Sequence, residues 1–319
     1  MKIGFIGSGD ICRFHIDALI YNGFQIEAIG TRNNSLRCKE LAQKFKISDK
    51  YCIKGWEEVL TKKVDAYCVC VEIAKTPEIL LSVLKMGKPV FVEKPIAFHL
   101  NEISRIVRHP HANRIFVGYN RRYYKTINVL KNKCKESISG GTIFVNIPDP
   151  IEGIKQFLSN GCHMVDSLRY IAGEFKIKDK LVRFSKNNDI SSISALCKNK
   201  KWDILFNAHS LIPSNFSITV NIDDIVYELK PLEKLSVYEG MQIIEPNSLE
   251  PIRRYIPKIK SSIIENSQFK PGFNLMYKSF FEFVSNNQNN RVCDIKDAQE
   301  TLKMCWDLIG NENKYKINF

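Results

Sequence analysis

The 319-residue sequence lacks any apolar run long enough to cross a bilayer, and it contains no internal repeat or low-complexity tract. Its ten cysteines are scattered without a Cys-x-x-Cys pair, a pattern that argues against a zinc site or a disulfide framework. Met1 and Lys2 lead directly into a strand-like segment, so we expect no signal peptide. These absences predict a reduced, cytoplasmic protein without a metal.

The sequence also lacks a concentrated basic tract, although its net charge is +13. Its densest basic patches, Arg121-Arg122 and Arg253-Arg254 through Lys258-Lys260, are short. Nucleic acid, a membrane surface and an anionic small ligand can each account for a positive charge. The even spread of the lysines favours the last of these, so we expect a phosphorylated cofactor or substrate, no nucleic acid and no membrane partner.

Two patterns follow one another along the chain. Strand and helix signals alternate over residues 1–118, which predicts βαβ units and a doubly wound parallel sheet. Short strands dominate residues 119–319, where they predict an α+β domain with a large open mixed or antiparallel sheet. We therefore expect a dinucleotide-binding domain and then a substrate and oligomerisation domain, with a final helical pair that can pack back on the first.

A glycine-rich turn follows the first strand. In Gly7-Ser8-Gly9-Asp10-Ile11, Gly7 permits the tight turn, and Gly9 lets the backbone approach a pyrophosphate. The start of the next helix favours that negative charge. Cys12 replaces the third glycine of the usual fingerprint. The turn still predicts a dinucleotide site formed by these five residues.

The end of the second strand bears on the choice of cofactor. An acid that binds ribose hydroxyls is usual there, but the sequence has Thr31 and Arg32, and Glu27 lies mid-strand. A hydroxyl and a guanidinium suit a 2′-phosphate, so we predict NADP, with NAD as the alternative. On the simpler interpretation, Arg32 is a solvated loop residue.

Two further stretches carry reactive side chains. Val90-Phe91-Val92 predicts a buried strand, and the Glu93-Lys94-Pro95 that follows puts an acid and a base at its carboxyl edge. On a helix, His163, Asp166 and Tyr170 would share one face. A salt bridge and a buried structural histidine are the simpler interpretations of these two stretches.

These pieces together resemble the glucose-fructose oxidoreductase and inositol dehydrogenase family. The resemblance spans residues 1 to about 175, and its motifs occur in the family's order. The first are Gly7-x-Gly9 with His15, Gly87-Lys88 before Glu93-Lys94-Pro95, and Val117 to Tyr123. The later ones are Gly141-Thr142 and Gly161-x-His163-x-x-Asp166 with Tyr170 and Gly173-Glu174.

The resemblance implies a Rossmann domain and an enzyme that oxidises or reduces a sugar or nucleotide sugar with a nicotinamide cofactor. It implies that Lys94 handles the proton and that His163 is the general acid/base. Because the position of the family's usual orienting aspartate is Ser159, either Asp166 takes over as the residue that orients His163 or this histidine is unsupported. The resemblance also implies homodimers or homotetramers formed through the open sheet. The remaining implied residues are Val71, Glu93 and Lys94 at the cofactor, and Asn120, Arg122, Ser159 and His163 at the substrate.

The sequence departs from the family at three points, one of which is the short stretch of about twenty residues between Gly141 and His163. The family usually has an aspartate four residues before the histidine, where this chain has Ser159. The third strand usually ends in a Thr-Pro-Asn turn, which aligns with Val71-Glu72-Ile73. These departures keep a second hypothesis open, in which a degenerate member binds a dinucleotide or sugar nucleotide without redox turnover, as a sensor or an accessory protein in a glycan pathway.

Overall fold

The computed structural model describes residues 1–31, 36–48, 52–149, 153–187, 189–286, 292–310 and 312. The chain divides into two compact units. The first comprises residues 1–123, 267–306 and the C-terminal end from 312, and the second comprises residues 124–266 and 307–311. The predicted boundary near residue 119 remains a prediction.

The first unit contains a six-stranded sheet in which every pair of neighbouring strands is parallel. The strand order is β3-β2-β1-β4-β5-β6, so the direction of winding reverses between β1 and β4. The predicted doubly wound sheet is confirmed. The strands are β1 (Lys2–Ile6), β2 (Gln25–Thr31), β3 (Cys52–Lys54), β4 (Ala66–Val69), β5 (Val90–Val92) and β6 (Ile115–Val117).

Helices connect these strands. α3 has Pro77 in its first turn, where a missing N–H costs nothing, and α4 begins at a capping box formed by His99 and Glu102. Sequence patterns had indicated the first three helices but not α4. The helices are α1 (Cys12–Tyr21), α2 (Leu36–Lys44), α3 (Thr76–Leu84) and α4 (Leu100–Val107).

The second unit is built on an eight-stranded mixed sheet with the order β14-β13-β12-β11-β7-β10-β9-β8. β7 and β10 run parallel, and the other neighbouring pairs are antiparallel. The strands are β7 (Gly141–Asp149), β8 (Lys176–Phe184), β9 (Ile190–Lys198), β10 (Trp202–Ser210), β11 (Ser217–Ile222), β12 (Ile225–Leu229), β13 (Lys234–Ile244) and β14 (Arg254–Ile264).

Three helical segments belong to the second unit: α5 (Lys125–Glu136), the short α6 (Ile154–Gln156) and α7 (Cys162–Ala172). A wide π-helical turn, Phe157–Gly161, joins α6 to α7. Such turns insert one residue into the helical repeat and often occur at functional sites.

Two C-terminal helices, α8 (Phe273–Asn286) and most of α9 (Ile295–Ile309), belong to the first unit. Phe280 of α8 stacks on Phe24 with ring centroids 5.6 Å apart, and it meets Phe91 of β5 edge-on at 5.7 Å. Trp306 of α9 donates to the Phe98 carbonyl at 2.9 Å. These aromatic contacts fix the helices over the parallel sheet. Among the described residues, no helix is both long and apolar enough to span a bilayer.

Candidate active site

The glycine turn between β1 and α1 has two glycines with different reasons for lacking a side chain. Gly7 has φ +132°, and a Cβ there would lie 2.0 Å from the Cys70 carbonyl oxygen, so the fold itself demands glycine. A Cβ on Gly9 would meet nothing within 4 Å. The protein leaves the space above Gly9 open, which suits a ligand that approaches the backbone there.

A cavity of about 590 Å³ opens beside this turn. Its walls come from the carboxyl ends of three strands, at Gly7–Gly9 after β1, Gly30–Thr31 in β2 and Cys70–Glu72 after β4. It therefore straddles the point between β1 and β4 where ligands bind in doubly wound sheets. Ser8, Ile11 and Val71 line it, whereas Asp10 is exposed near the start of α1. The cofactor role of all four residues remains a prediction.

Several lining residues were not expected from the sequence. Arg37, in the first turn of α2, and Lys75 bring positive charge to the cavity wall that contains buried Thr31. Trp56 adds an aromatic surface. Arg32, on which the prediction of NADP rested, lies outside the described residues. Only the fold reveals Arg37, since its sequence position five residues beyond Arg32 carries no signal.

This cavity suits a dinucleotide. Its volume falls in the range of small-molecule sites, one wall is a glycine backbone at the start of α1, and cations flank a strand end. Glu27, the one acid in β2, pairs with Lys2 at 3.0 Å. Its carboxylate is thereby engaged mid-strand, as the sequence indicated.

The predicted pair Glu93 and Lys94 follows β5 directly. One carboxylate oxygen of Glu93 accepts the Lys94 backbone N–H at 2.6 Å, and the other contacts His15 Nε2 at 3.1 Å. Burial raises the pKa of Glu93, but the hydrogen bond and charge of His15 and the neighbouring Lys94 outweigh it, so this pKa lies below its ordinary value. Glu93 is therefore a carboxylate at neutral pH.

Cations gather around this carboxylate. The pKa of Lys270 is lowered by burial and by the charges of Lys94, Arg121 and Arg13, while Glu93 opposes the change. The Lys270 ammonium also lies 5.2 Å from the centroid of the Phe14 ring. Sequence analysis did not identify Lys270, which precedes α8 and lies far from Lys94 in the chain. The edge beside Glu93 thus favours anionic groups.

Asn120 and Arg122, predicted to bind substrate, have contacts within the first unit. The Asn120 side chain donates to the Pro271 carbonyl at 3.0 Å. Arg122 is buried, donates to the Val292 carbonyl at 2.8 Å and pairs with Asp297 of α9. These contacts anchor the C-terminal helices, and the substrate role of both residues remains a prediction.

His163 lies near the start of α7 and is buried, with 9% of its surface exposed. Asp166 follows one turn later and is fully buried. Ser167 donates to the His163 carbonyl at 2.7 Å, which ties its hydroxyl to the helix backbone. The structure thus puts the predicted His and Asp into a protected environment within the second unit. Their catalytic roles stay predictions.

Ser159 lies in the π-helical turn before His163, and its hydroxyl donates to the Gln156 carbonyl at 3.2 Å. The carboxylate beside this turn belongs to Asp149 at the end of β7, which sequence analysis missed. Gln156 donates to one of its oxygens at 2.7 Å and Asn160 to the other at 3.1 Å. The carboxylate of Asp149, at the end of a strand, therefore organises the turn that contains Ser159.

A larger depression, of about 810 Å³, lies on the eight-stranded sheet. Its lining includes Phe144, Leu181, Leu196 and Leu205, and it contains no predicted catalytic residue. A shallow apolar sheet face suits a protein partner better than a small polar substrate. Within the described part of the chain, no cluster of three or more His, Cys, Asp or Glu could hold a metal ion.

Comparison with known proteins adds independent information. Residues 1–120 match the model of the oxidoreductase family with an NAD-binding Rossmann fold. A myo-inositol 2-dehydrogenase from Thermotoga maritima is 30% identical over 193 residues, which cover 54% of this chain and 55% of that protein. The chain thus spans about half the length of the curated relatives that it matches.

Solved structures match over nearly the whole chain. A dehydrogenase from Clostridium difficile superposes with a TM-score of 0.78 at 17% identity, covering 97% of this chain and 98% of that one. A UDP-N-acetylglucosamine 3-dehydrogenase from Acidithiobacillus ferrooxidans gives a TM-score of 0.75 at 14% identity, covering 97% and 96%. Identities this low establish the two-domain fold alone.

The glycine turn at the sheet's switch point, the Glu93-Lys94-Pro95 motif after β5 and these matches agree with one another. Residues 1–120 therefore resemble the NAD-binding Rossmann domain of the Gfo/Idh/MocA oxidoreductase family, and this match covers less than half of the chain.

Proposed function

We propose that the protein is a nicotinamide-dependent oxidoreductase that acts on a hydroxyl or keto carbon of a sugar or nucleotide sugar. One observation carries this proposal: a dinucleotide-sized cavity and the Glu93-Lys94 pair lie at carboxyl ends of strands in one parallel sheet. The names of the relatives, a myo-inositol dehydrogenase and a UDP-N-acetylglucosamine dehydrogenase, support a polyol or sugar substrate.

The proposed chemistry assigns separate roles to the side chains. When bound, a nicotinamide cofactor supplies the acceptor for the hydride that leaves the carbinol carbon. The Lys94 ammonium stabilises negative charge on the substrate oxygen as its proton departs. His163 accepts that proton as general base, and it returns the proton as general acid in the reverse reaction. Asp166 would hold the imidazole in the orientation that this exchange requires.

We further propose that NADP is preferred over NAD. Thr31, Arg37 and Lys75 bring a hydroxyl and two cations to the cavity, and such groups suit a 2′-phosphate better than a bare ribose. Arg32 follows Thr31 directly in the chain and would strengthen this preference.

The open sheet supports a further proposal, that the protein forms homodimers or homotetramers. Phe144, Leu205 and Leu196 lie side by side on β7, β10 and β9. Leu205 is directly opposite Phe144 on one neighbouring strand and Leu196 on the other. Each of these three residues has between 42% and 50% of its surface exposed. A row of half-exposed apolar groups is typical of a surface that another subunit covers.

A second candidate function is binding without redox turnover. The observation that favours it is Ser159, whose hydroxyl is bonded to a backbone carbonyl and cannot supply the charge of the family's aspartate. In this case the protein would bind a dinucleotide or a sugar nucleotide as a sensor or an accessory protein.

Replacing Lys94 with Met tests the proposed enzyme. With a panel of polyols, sugars and nucleotide sugars and with both cofactors, we expect turnover to fall by about 10²–10⁴-fold. Cofactor affinity, measured by fluorescence titration, should stay within a few-fold. Lys88→Met is the matched control, because Lys88 precedes β5 at its opposite end and donates to the Val64 carbonyl. Wild-type protein that binds cofactor but turns over no substrate would favour the second function.

A further inference from the structure

A chain of polar contacts runs from the sheet edge into the core of the first unit. Glu93 accepts the Lys94 backbone N–H, and its other oxygen lies 3.1 Å from His15 Nε2. His15 Nδ1 lies 2.6 Å from the Tyr277 hydroxyl, which lies 3.5 Å from the Cys68 thiol. Helices α1 and α8 thus reach the residue that precedes Lys94, although the three elements are distant in sequence.

His15 has no freedom to move in this arrangement. It is fully buried, and its ring packs against Phe273 with centroids 4.8 Å apart and against Phe91 at 5.5 Å. A histidine with two polar contacts inside an aromatic cage keeps one orientation, because any other would leave a buried polar atom unsatisfied. The cage therefore fixes where the Glu93 carboxylate can sit.

Two protonation states of His15 satisfy every group. Neutral His15 donates from Nε2 to the Glu93 carboxylate and accepts at Nδ1 from the Tyr277 hydroxyl, which accepts from the Cys68 thiol. Protonated His15 donates from both ring nitrogens, and the Tyr277 hydroxyl then donates to the Cys68 sulfur. Burial raises the pKa of Tyr277 well above its usual value, so its hydroxyl keeps the proton. In both states the Nε2–H of His15 donates to the Glu93 carboxylate and so orients it.

We propose that His15 is a positioning residue for Lys94, acting through the Glu93 carboxylate that accepts the Lys94 backbone N–H. The peptide that carries the lysine is held from the core side, and this sets the direction in which its side chain leaves the sheet edge. This inference rests on the proposed catalytic role of Lys94. The inference has a structural half, which is the coupling of His15 to the Lys94 peptide. This half does not depend on whether the protein turns over a substrate.

The structural half can be measured without substrate or cofactor. The full chain is made with ¹³C-carbonyl glutamate and ¹⁵N-lysine, so that only Glu-Lys peptides give a coupled amide signal. The sequence has two, at Glu93-Lys94 and Glu233-Lys234. Lys234 is an internal control, because its N–H donates to the Pro231 carbonyl within the second unit. Lys94→Arg removes one of the two signals and so assigns both.

His15→Phe is the main variant, since it keeps a ring in the cage and removes both polar contacts. We expect the Lys94 amide signal to move while the Lys234 signal stays unchanged. Tyr277→Phe removes only a hydroxyl and should move the Lys94 signal in the same direction by less. It also keeps the inference testable if His15→Phe does not fold. A Lys94 signal that is unmoved in a folded variant would overturn the proposal.

A pH titration of the same signal separates positioning from general loosening. The charged groups around Glu93 are His15 of α1, Lys94 itself, and Lys270, which precedes α8. Removing His15 takes away the largest influence that lowers the pKa of Glu93, and it leaves burial, which raises that pKa, opposed by Lys94. The midpoint reported by the Lys94 amide should therefore move to higher pH in His15→Phe. An unchanged midpoint would contradict the contact.

Kinetics test the functional half. A displaced reactive group can cost about 10²-fold in rate, so we expect kcat of His15→Phe to fall by about tenfold to a hundredfold with KM nearly unchanged. His15→Gln, which keeps a donor for Glu93, should recover part of kcat. Phe283→Leu is the packing control, because Phe283 lies in the same aromatic cluster and should leave kcat unchanged. If the Lys94 amide signal shifts in His15→Phe but kcat is unchanged, His15 is coupled to the Lys94 peptide through Glu93 but does not position Lys94 for catalysis.

Discussion

The two sheets of this protein differ in how much of their surface is exposed. Strands β4, β5 and β6 are buried at every residue, because helices cover both faces of the parallel sheet. Strand β10 instead alternates buried and exposed residues for most of its length, which leaves one face of the mixed sheet open. The first sheet can offer a ligand only its edge, whereas the second can offer a partner a whole face.

This difference also governs what a substitution does. At the edge of the parallel sheet, one added carbon occupies either space that the fold needs or space that a ligand needs. On the open face, an altered side chain meets only solvent or a partner. Variants at the two places therefore separate stability, ligand binding and self-association from one another.

The largest expected effect is at the glycine turn. Gly7→Ala puts a Cβ against the Cys70 carbonyl at a φ of +132°, which by itself costs about 1–3 kcal/mol in backbone strain. We expect a lower melting temperature. We also expect cofactor affinity to fall by more than about 10²-fold, which corresponds to more than about 2.7 kcal/mol of binding free energy, because the displaced turn no longer fits the cofactor.

Gly9→Ala sharpens this test, because its Cβ meets nothing in the structure. We expect an unchanged melting temperature and cofactor affinity weaker by about tenfold, or about 1.4 kcal/mol. Calorimetry and fluorescence titration measure the two quantities. A Gly9→Ala protein that binds cofactor as tightly as the wild type would show that no ligand backbone approaches this turn.

Local patterns predicted much of the fold. Continuous apolar runs such as Val90-Phe91-Val92 identify buried parallel strands, and the spacing of Ile79, Leu80, Val83 and Leu84 identifies α3. β8, β13 and β14 were not anticipated, because few of their residues are buried and these do not alternate with exposed ones. A strand that packs on one side of an open sheet leaves a weaker sequence signal.

The candidate site was predictable to the extent that its residues lie in motifs. Gly7, Gly9, Glu93 and Lys94 were identified because each follows a recognisable strand. Arg37, Lys270 and Asp149 were not, since no local spacing links them to the motifs. The fold alone brings Arg37 and Lys270 to the carboxyl edge of the parallel sheet. It also brings Asp149 to the turn before His163.

The open face should yield the next largest effect. Leu205→Lys puts a charge in the middle of the row formed with Phe144 and Leu196. We expect dissociation of an oligomer to become at least about tenfold easier, since buried apolar anchors dominate such interfaces. Light scattering during size-exclusion chromatography measures the mass in solution.

Ile138→Lys is the control for that substitution. Ile138 is 96% exposed, and its loop precedes β7, so a charge there should leave the mass unchanged. An oligomer that survives Leu205→Lys with its wild-type affinity would rule out this face as the contact. The melting temperature should stay close to that of the wild type in both variants, because neither side chain is part of a core.

The smallest expected effect concerns the choice of cofactor at the parallel sheet's edge. Arg37 lines the cavity near Thr31, and a hydrogen bond to a charged group contributes about 1.5–3 kcal/mol. Because Arg37 is exposed, we expect the low end, so Arg37→Ala should weaken NADP binding by about tenfold and NAD binding by less than about twofold. Lys39→Ala removes an equal charge from the same helix and controls for general attraction of anions, which would weaken both cofactors alike. Equal losses for NADP and NAD in Arg37→Ala would assign Arg37 to the pyrophosphate or to solvent. A selective loss would show that an edge residue supplied by the fold, and absent from every local motif, sets the cofactor preference.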